Sequence, residues 1–409
     1  MVANGTNIRA LAPSTPPPLN RMVSLDDYRG REQAYVKHTF LERYLEALLH
    51  KTASKFSQIV YIDGYAGPWQ SANEDYKDTS FGIALNALRQ AKASWQATRD
   101  VKMFALLVEH EPAAYARLVE VPKRYPEICV KTYAGDFLSV LPQITRDIPV
   151  NAFTFTFVDP KGWRIPLNAL RPLLVRPHSE ITFNFMFDFI NRAVSIKDAA
   201  IVKALDELMP HGNFRVKLDQ AEKAYPGQVT PDDRKSILVD AFGESLLRLG
   251  NYKYVAETTV LRPLKDRPLY CLFYATRHPE GIKVFRDCQI KALTEQSKAR
   301  SSTKIRHAET TTGQREMFES LHDLGPNELA AFLSNERDAA ERTLLRLAPQ
   351  QPKSIPFREL WPQVLARHVV RMPDVNKIAA RLRTEGKLHF PDWEKGKHVP
   401  QPAYRTQRS

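Results

Sequence analysis

Five short apolar runs, each followed by a segment of helical character, constrain this chain more than any other feature. They are QIVYIDG, KMFALLVEHE, ICVKTYAGDF, AFTFTFVDPKGW and EITFNFM. A strand needs apolar residues on both sides only when both its faces are covered, so such runs predict a parallel sheet between layers of helices. The intervening helices are expected around Phe81 to Ala93, in PAAYARLVEV, where the proline suits a first turn, and in PLNALRPLL. Upstream, EQAYVKHTFLERYLEALLH sets Val36, Phe40, Tyr44, Leu45, Leu48 and Leu49 on one face at helical spacing. Two more strands, YKYVAETTVLR and LYCLFYATRH, follow a mostly helical excursion from about Asp188 to Leu249 and have no helix between them. The expected architecture is an open, Rossmann-like α/β sheet of about seven strands, mostly parallel.

The rest of the chain divides by composition. Residues 1–22 are rich in Pro, Ser and Asn and read as a disordered leader before an α/β domain at 23–300. A polar stretch from Ser301 to Thr312 reads as a linker, with a helix opening near Gly313, so that 301–325 joins two units. Residues 326–409 then show three helical patterns, the last with Pro373 at its start, and two short strands around a turn at Glu394 to Gly396. Helix, turn, helix and hairpin make a winged-helix domain. The 59 Lys and Arg against 46 Asp and Glu leave a net charge of +13, which favours a polyanionic partner. The surplus is concentrated from Gln350 to Ser409, with twelve basic against five acidic residues, and from Lys283 to Arg306, with seven against two. Solvated helices of ordinary proteins carry similar runs. No run of eighteen apolar residues and no signal-peptide pattern is present, so neither membrane insertion nor export is expected and the cytoplasm is the expected location. Cys129, Cys271 and Cys288 form no CxxC pair and read as small buried apolar residues rather than disulfide or zinc ligands.

In an open parallel sheet, ligands sit beyond the carboxyl ends of the strands. Four acidic residues fall there in consecutive order: Asp63 in DGYAG, Glu109 in LLVEHE, Asp136 in AGDF and Asp159 in FVDP. Each has a task in a site for S-adenosylmethionine. Gly64 and Gly67 allow a sharp turn and a close backbone approach to the methionine end, whose amino group Asp63 attracts. Glu109 accepts the ribose hydroxyls, Asp136 meets the adenine amine, and Asp159 lies nearest the methyl group. Each also has an ordinary reading: a strand-ending turn for DGYAG, a solvated strand end for Glu109, a helix cap for Asp136 and a turn for Asp159-Pro160. A dinucleotide site fits less well, because Trp69 stands where a third glycine is wanted and the next helix waits until about Ser80.

The motifs YVKHTFLERYL, YIDGYAGP, FVDPKGW, FNFMFDFINR and YATRHPEGIKV, spread over about 35–290, resemble the three-Cys-motif partner family, TcmP. The resemblance implies a class I methyltransferase-like fold and association with an iron–sulfur, radical-type protein bearing three cysteines. Relatives often carry glycine where this chain has Trp69 and phenylalanine where it has Lys161. The DPKGW segment also resembles the fourth motif of methyltransferases acting on exocyclic amines of bases. There Asp159 would accept hydrogen bonds from the amine, Lys161 would put a cation beside the reaction centre, and Trp163 would stack on the base or else serve as a core aromatic. Asn184, Asn191 and Arg192 line the substrate side or make caps and salt bridges. In the winged helix, Lys377, Arg381 and Arg383 face phosphates, with Lys395 and Lys397 on the wing. Three functions stay open: a nucleic-acid methyltransferase, a non-catalytic recognition subunit that delivers nucleic acid to the three-cysteine enzyme, and a nuclease whose four carboxylates hold magnesium.

Overall fold

The computed structural model describes residues 23–28, 30–67, 76–265, 267–312 and 321–409, the side chains of 306–312 and 321–324 excepted. The leader at 1–22, Trp69 and the helix onset near Gly313 lie outside the described residues. Strands β1 (Gln58–Asp63), β2 (Lys102–Glu109), β3 (Cys129–Ala134), β4 (Phe153–Val158), β5 (Ser179–Phe185), β6 (Tyr254–Leu261) and β7 (Pro268–Thr276) form one sheet in the order 3-2-1-4-5-7-6. The first five are parallel, whereas β7 runs antiparallel to both β5 and β6. A reversed last strand inserted between the fifth and sixth is the class I methyltransferase arrangement, so the fold is the expected one. The strand order reverses at β1 and β4, where such sheets open a crevice.

The helices follow from local sequence. Helix α1 (Glu32–Ala53) buries Phe40, Tyr44, Leu45 and Leu48 along one stripe, and the Tyr44 ring packs 5.5 Å from Phe155 of β4. Helix α2 (Ser80–Trp95) is capped by Thr79, whose side chain accepts from the Gly82 N–H. Glu111 and Asp136 cap α3 (Pro112–Leu118) and α4 (Phe137–Asp147) in the same way. After β4 come α5 (Arg171–Leu174) and, following β5, the helical excursion α6 (Phe187–Ala193), α7 (Ala199–Leu208), α8 (Phe214–Ala224) and α9 (Pro231–Gly250). Two apolar cores result, one on each face of the sheet. The first joins α1, α2 and the helix after β7; the second is built around Phe183, Phe185, Phe242 and Phe273.

Helix α10 (Pro279–Thr312) packs on α1 and then on α11 (Leu321–Leu347). The linker expected at Ser301 to Thr312 is therefore helix. Its polar side chains are served within the helix and by α11: Thr303 donates to the Ala299 carbonyl at 2.9 Å, Ser301 is buried, and Gly325 of α11 passes so close that a Cβ there would stand 2.6 Å from the Ser301 hydroxyl. The remaining elements are β8 (Ile355–Pro356), α12 (Phe357–Arg367), α13 (Met372–Thr384), β9 (Leu388–His389) and β10 (Arg405–Arg408), with β10 between β8 and β9. Glu394 to Gly396 thus lies within a wide loop instead of forming a tight hairpin turn. Arg286, buried on α10, fastens this terminal unit to the sheet: it donates to the carbonyls of Leu365 at 2.6 Å, Ala366 at 3.1 Å and Glu257 at 3.3 Å. Cys271 and Cys288 are buried as expected, but Cys129, on the outer strand β3, is exposed.

Candidate cofactor and substrate site

The four acidic residues do stand along one edge, because parallel strands β1 to β4 all deliver their carboxyl ends to it. Their engagements differ. Asp63 is fully buried and takes three donors from its own surroundings: the Tyr65 N–H at 3.0 Å, the Tyr61 hydroxyl at 3.0 Å and the Ser80 hydroxyl at 2.6 Å. Burial pushes its carboxyl up to about 6 against these hydrogen bonds, which act to lower it. Asp63 therefore ties the loop to the start of α2, and its expected attraction of a ligand amino group finds no exposed oxygen among the described residues. Gly64 also has a different reason than expected. A Cβ there would meet the Phe137 ring at 2.7 Å, so the glycine makes room for the first side chain of α4. The Gly64 and Ala66 N–H groups donate to the carbonyls of Phe157 and Val108, strapping the loop across the ends of β4 and β2. Gly67 is half-buried, and the residues after it lie outside the described ones.

Glu109, buried at the end of β2, spends one oxygen on the Glu111 N–H at 2.7 Å, with His110 Nδ1 3.2 Å from that same oxygen. Its second oxygen has no described hydrogen bond. Asp136 is exposed and uses one oxygen to cap α4 through the Leu138 N–H at 2.9 Å, so the helix-cap reading holds for that atom. Tyr65, the central residue of DGYAG, which the sequence reading passed over, lies within electrostatic reach of both Asp136 and Asp159. Burial and the two carboxylates raise its hydroxyl well above the ordinary range. Its ring meets Phe137 edge-on at 5.8 Å, and it closes one side of a cavity of about 350 Å³ whose other walls are Pro160 to Ile165.

Asp159 is held from two sides. One oxygen is ion-paired with Lys37 of α1, and the other accepts from the Asn184 amide of β5 at 2.5 Å. The Asn184 carbonyl oxygen is buried with no hydrogen-bond partner among the described residues. Lys161 is exposed on the cavity wall. Trp163 lines the cavity and is half-buried against the second core, with Arg164 5.6 Å from its ring, so it is both wall and packing residue. Asn191 accepts from Arg234 at 3.2 Å, and Arg192 pairs with Asp188 at 3.1 Å; both therefore make the structural contacts left open as their alternative. Lys377, Arg381, Arg383, Lys395 and Lys397 are all exposed on the terminal unit. Arg381 is ion-paired with Glu341, and Arg383 lies 4.3 Å from the Trp393 ring. Among the described residues the carboxylates form no cluster that would hold a metal ion.

No family model matches the chain and no curated protein does. Solved structures similar to it include the precorrin-6y C5,15-methyltransferase from Geobacter metallireducens, at 12% identity over 57% of this chain and 87% of that one, with a TM-score of 0.27. The O-methyltransferase TomG from Streptomyces achromogenes, in complex with SAM, is 15% identical over 58% and 79%, with a TM-score of 0.29. A loganic acid methyltransferase with SAH is 8% identical over 72% and 88%, with a TM-score of 0.28. The strand order described above, not these alignments, carries the fold assignment.

Proposed function

We propose that this chain is an S-adenosylmethionine-dependent methyltransferase acting on nucleic acid, at an exocyclic amine of a base. The single observation that carries the reading is Glu109, a buried carboxylate at the end of β2 with one oxygen committed to the backbone and the other uncommitted beside the sheet's switch point. A ribose diol is the ligand group that such an acceptor suits. Asp136, with its second oxygen exposed, would take the adenine amine, and the loop from Asp63 to Gly67 would support the methionine end. Bound there, the ligand supplies an electrophilic methyl group. The chain's own part is to hold the amine: the unpartnered Asn184 carbonyl is an acceptor for its N–H, Asp159 fixes the Asn184 amide, and Trp163 forms a wall for the base.

The order α11, β8, α12, α13, β9, β10 supports the winged-helix reading of the terminal unit. Lys377, Arg383, Lys395 and Lys397 are its candidates for phosphate contacts, whereas Arg381 is already paired with Glu341 and Glu385. The three-cysteine iron–sulfur partner and membership of the TcmP family rest on the sequence resemblance alone. The cytoplasmic location rests on the sequence reading alone; among the described residues no helix is long and apolar enough to cross a membrane.

One observation favours a second reading, the non-catalytic recognition subunit: Lys37 neutralises Asp159, the carboxylate assigned to the substrate amine. Incubation with methyl-labelled S-adenosylmethionine and cellular RNA or DNA, with and without the three-cysteine protein, decides between them. Label in nucleic acid that is lost on Asn184→Ala supports the enzyme. Nucleic-acid binding without any transfer in either condition supports the subunit.

A further inference from the structure

On the same edge of the sheet, beyond Asn184, one buried carboxylate is surrounded by three arginines. Asp188, on the first turn of α6, has a side chain 3% exposed. Arg192 reaches it from the same helix at 3.1 Å, while Arg262 at 2.7 Å and Arg267 at 3.0 Å reach it from the loop between β6 and β7. That loop lies at the carboxyl ends of the parallel strands because β7 runs antiparallel to β5, with Cys271 opposite Phe185. One arginine would neutralise Asp188. Among these four side chains three arginines leave a surplus of two positive charges, and the arginine side chains stay 57%, 38% and 56% exposed.

A surplus held this way is pre-organised for an anion. The shared carboxylate fixes the three forks relative to one another, so little side-chain freedom remains to be lost on binding, and guanidinium geometry matches phosphate oxygens bidentately. Beside the cluster, Phe189 is 45% exposed, with the Arg192 guanidinium over its ring at 4.9 Å from the centroid. An exposed aromatic residue against a fixed cationic cluster is the combination that takes an unpaired base and its backbone.

We propose that Asp188, Arg192, Arg262, Arg267 and Phe189 form a backbone-and-base clamp for single-stranded nucleic acid, on the same edge of the sheet as the cavity walled by Tyr65 and Trp163. The assignment deepens the nucleic-acid part of the proposed function and rests on it, but it does not involve the adenosyl ligand. Phosphates lie across Arg262 and Arg267, one neighbouring base stacks on Phe189, and Asp188 acts as a positioning residue. A duplex, whose base faces are covered, loses the stacking contribution and binds less well.

The test uses the full chain and a fluorescein-labelled single-stranded 12-mer, read by polarisation across a salt series. Arg262→Ala with Arg267→Ala should weaken binding about thirtyfold at low salt and flatten the slope of log affinity against log salt by about 1.4, for two phosphates. Phe189→Ala should cost about tenfold with the slope unchanged. Because removing two partners of Asp188 strains the fold, Arg267→Gln alone is the second variant, expected to lower the slope by about 0.7. Unchanged affinity and slope in Arg267→Gln and Phe189→Ala, with Lys377→Ala weakening binding, would overturn the clamp and leave the proposed function standing. Binding of heparin as tight as the 12-mer, and equally insensitive to Phe189→Ala, would also overturn it. No binding of the wild-type chain to any nucleic acid would remove both the clamp and the proposed substrate, whatever S-adenosylmethionine does.

Discussion

The two halves of the sheet's edge are built with opposite charge and opposite economy. At β1 to β3, Asp63 spends both oxygens on its own loop, Tyr61 and Ser80, whereas Glu109 and Asp136 each commit one oxygen to a backbone N–H and keep the other. At β5 to β7, Asp188 is outnumbered by Arg192, Arg262 and Arg267. The first half offers a few acceptors placed with precision, which suits hydroxyls and amines. The second offers a surplus of donors, which suits phosphates. Asp159 lies between them, tied to Lys37 and Asn184. The difference teaches that a row of acids at strand ends is not one site: what each side chain has left after satisfying its own loop decides which ligand it meets.

The comparison breaks most visibly at Glu109. Glu109→Ala should reduce affinity for S-adenosylmethionine by at least a hundredfold, since the hydrogen bonds of two hydroxyls to a carboxylate are lost, each worth about 1.5–3 kcal/mol. Calorimetry reads this directly, and the single-strand affinity should not move.

Asp63 sharpens the contrast through pH. Its carboxyl is raised to about 6 from an ordinary 3.8, so the folded chain holds that proton more tightly than the unfolded chain does. The resulting stability is fully present below pH 4 and is lost as pH rises through 6, about 2–3 kcal/mol in all. Asp63→Asn should remove that decline, seen as a smaller difference between urea midpoints at pH 4.5 and 7 than in the wild type.

Gly64→Ala tests whether the glycine serves packing. The added methyl meets the Phe137 ring, so a loss of about 1–3 kcal/mol in stability is expected from chemical denaturation. The smallest effect is expected at the terminal unit: Lys377→Ala should lower nucleic-acid affinity about threefold and the salt slope by about 0.7–0.9, uniformly across sequences.

Much of this was legible in the sequence because it depends on local order. Alternating apolar runs and helices dictated the sheet, two strands without an intervening helix dictated the reversed pair, and the acids of DGYAG, EHE, GDF and DPKGW sat where strands must end. What was not legible depends on contacts between distant segments. The Lys37 to Asp159 pair spans 122 residues, and the Arg262 to Asp188 pair spans 74. Nothing in FDFINR or in the loop after β6 signals the other. Gly64 was read for a ligand because the side chain that needs its space, Phe137, comes from another element. The polar stretch from Ser301 was read as a linker because composition does not reveal that α11 covers it.

The central claim is that the edge formed by β1, β2 and β4 holds S-adenosylmethionine through Glu109. Titration of the purified chain with S-adenosylmethionine in a calorimeter, beside Glu109→Ala and Arg262→Ala with Arg267→Ala, tests it most directly. The account predicts micromolar binding by the wild type, its loss in Glu109→Ala and its retention in the arginine variant. Absence of binding by the wild type, or binding that survives Glu109→Ala unchanged, would contradict it.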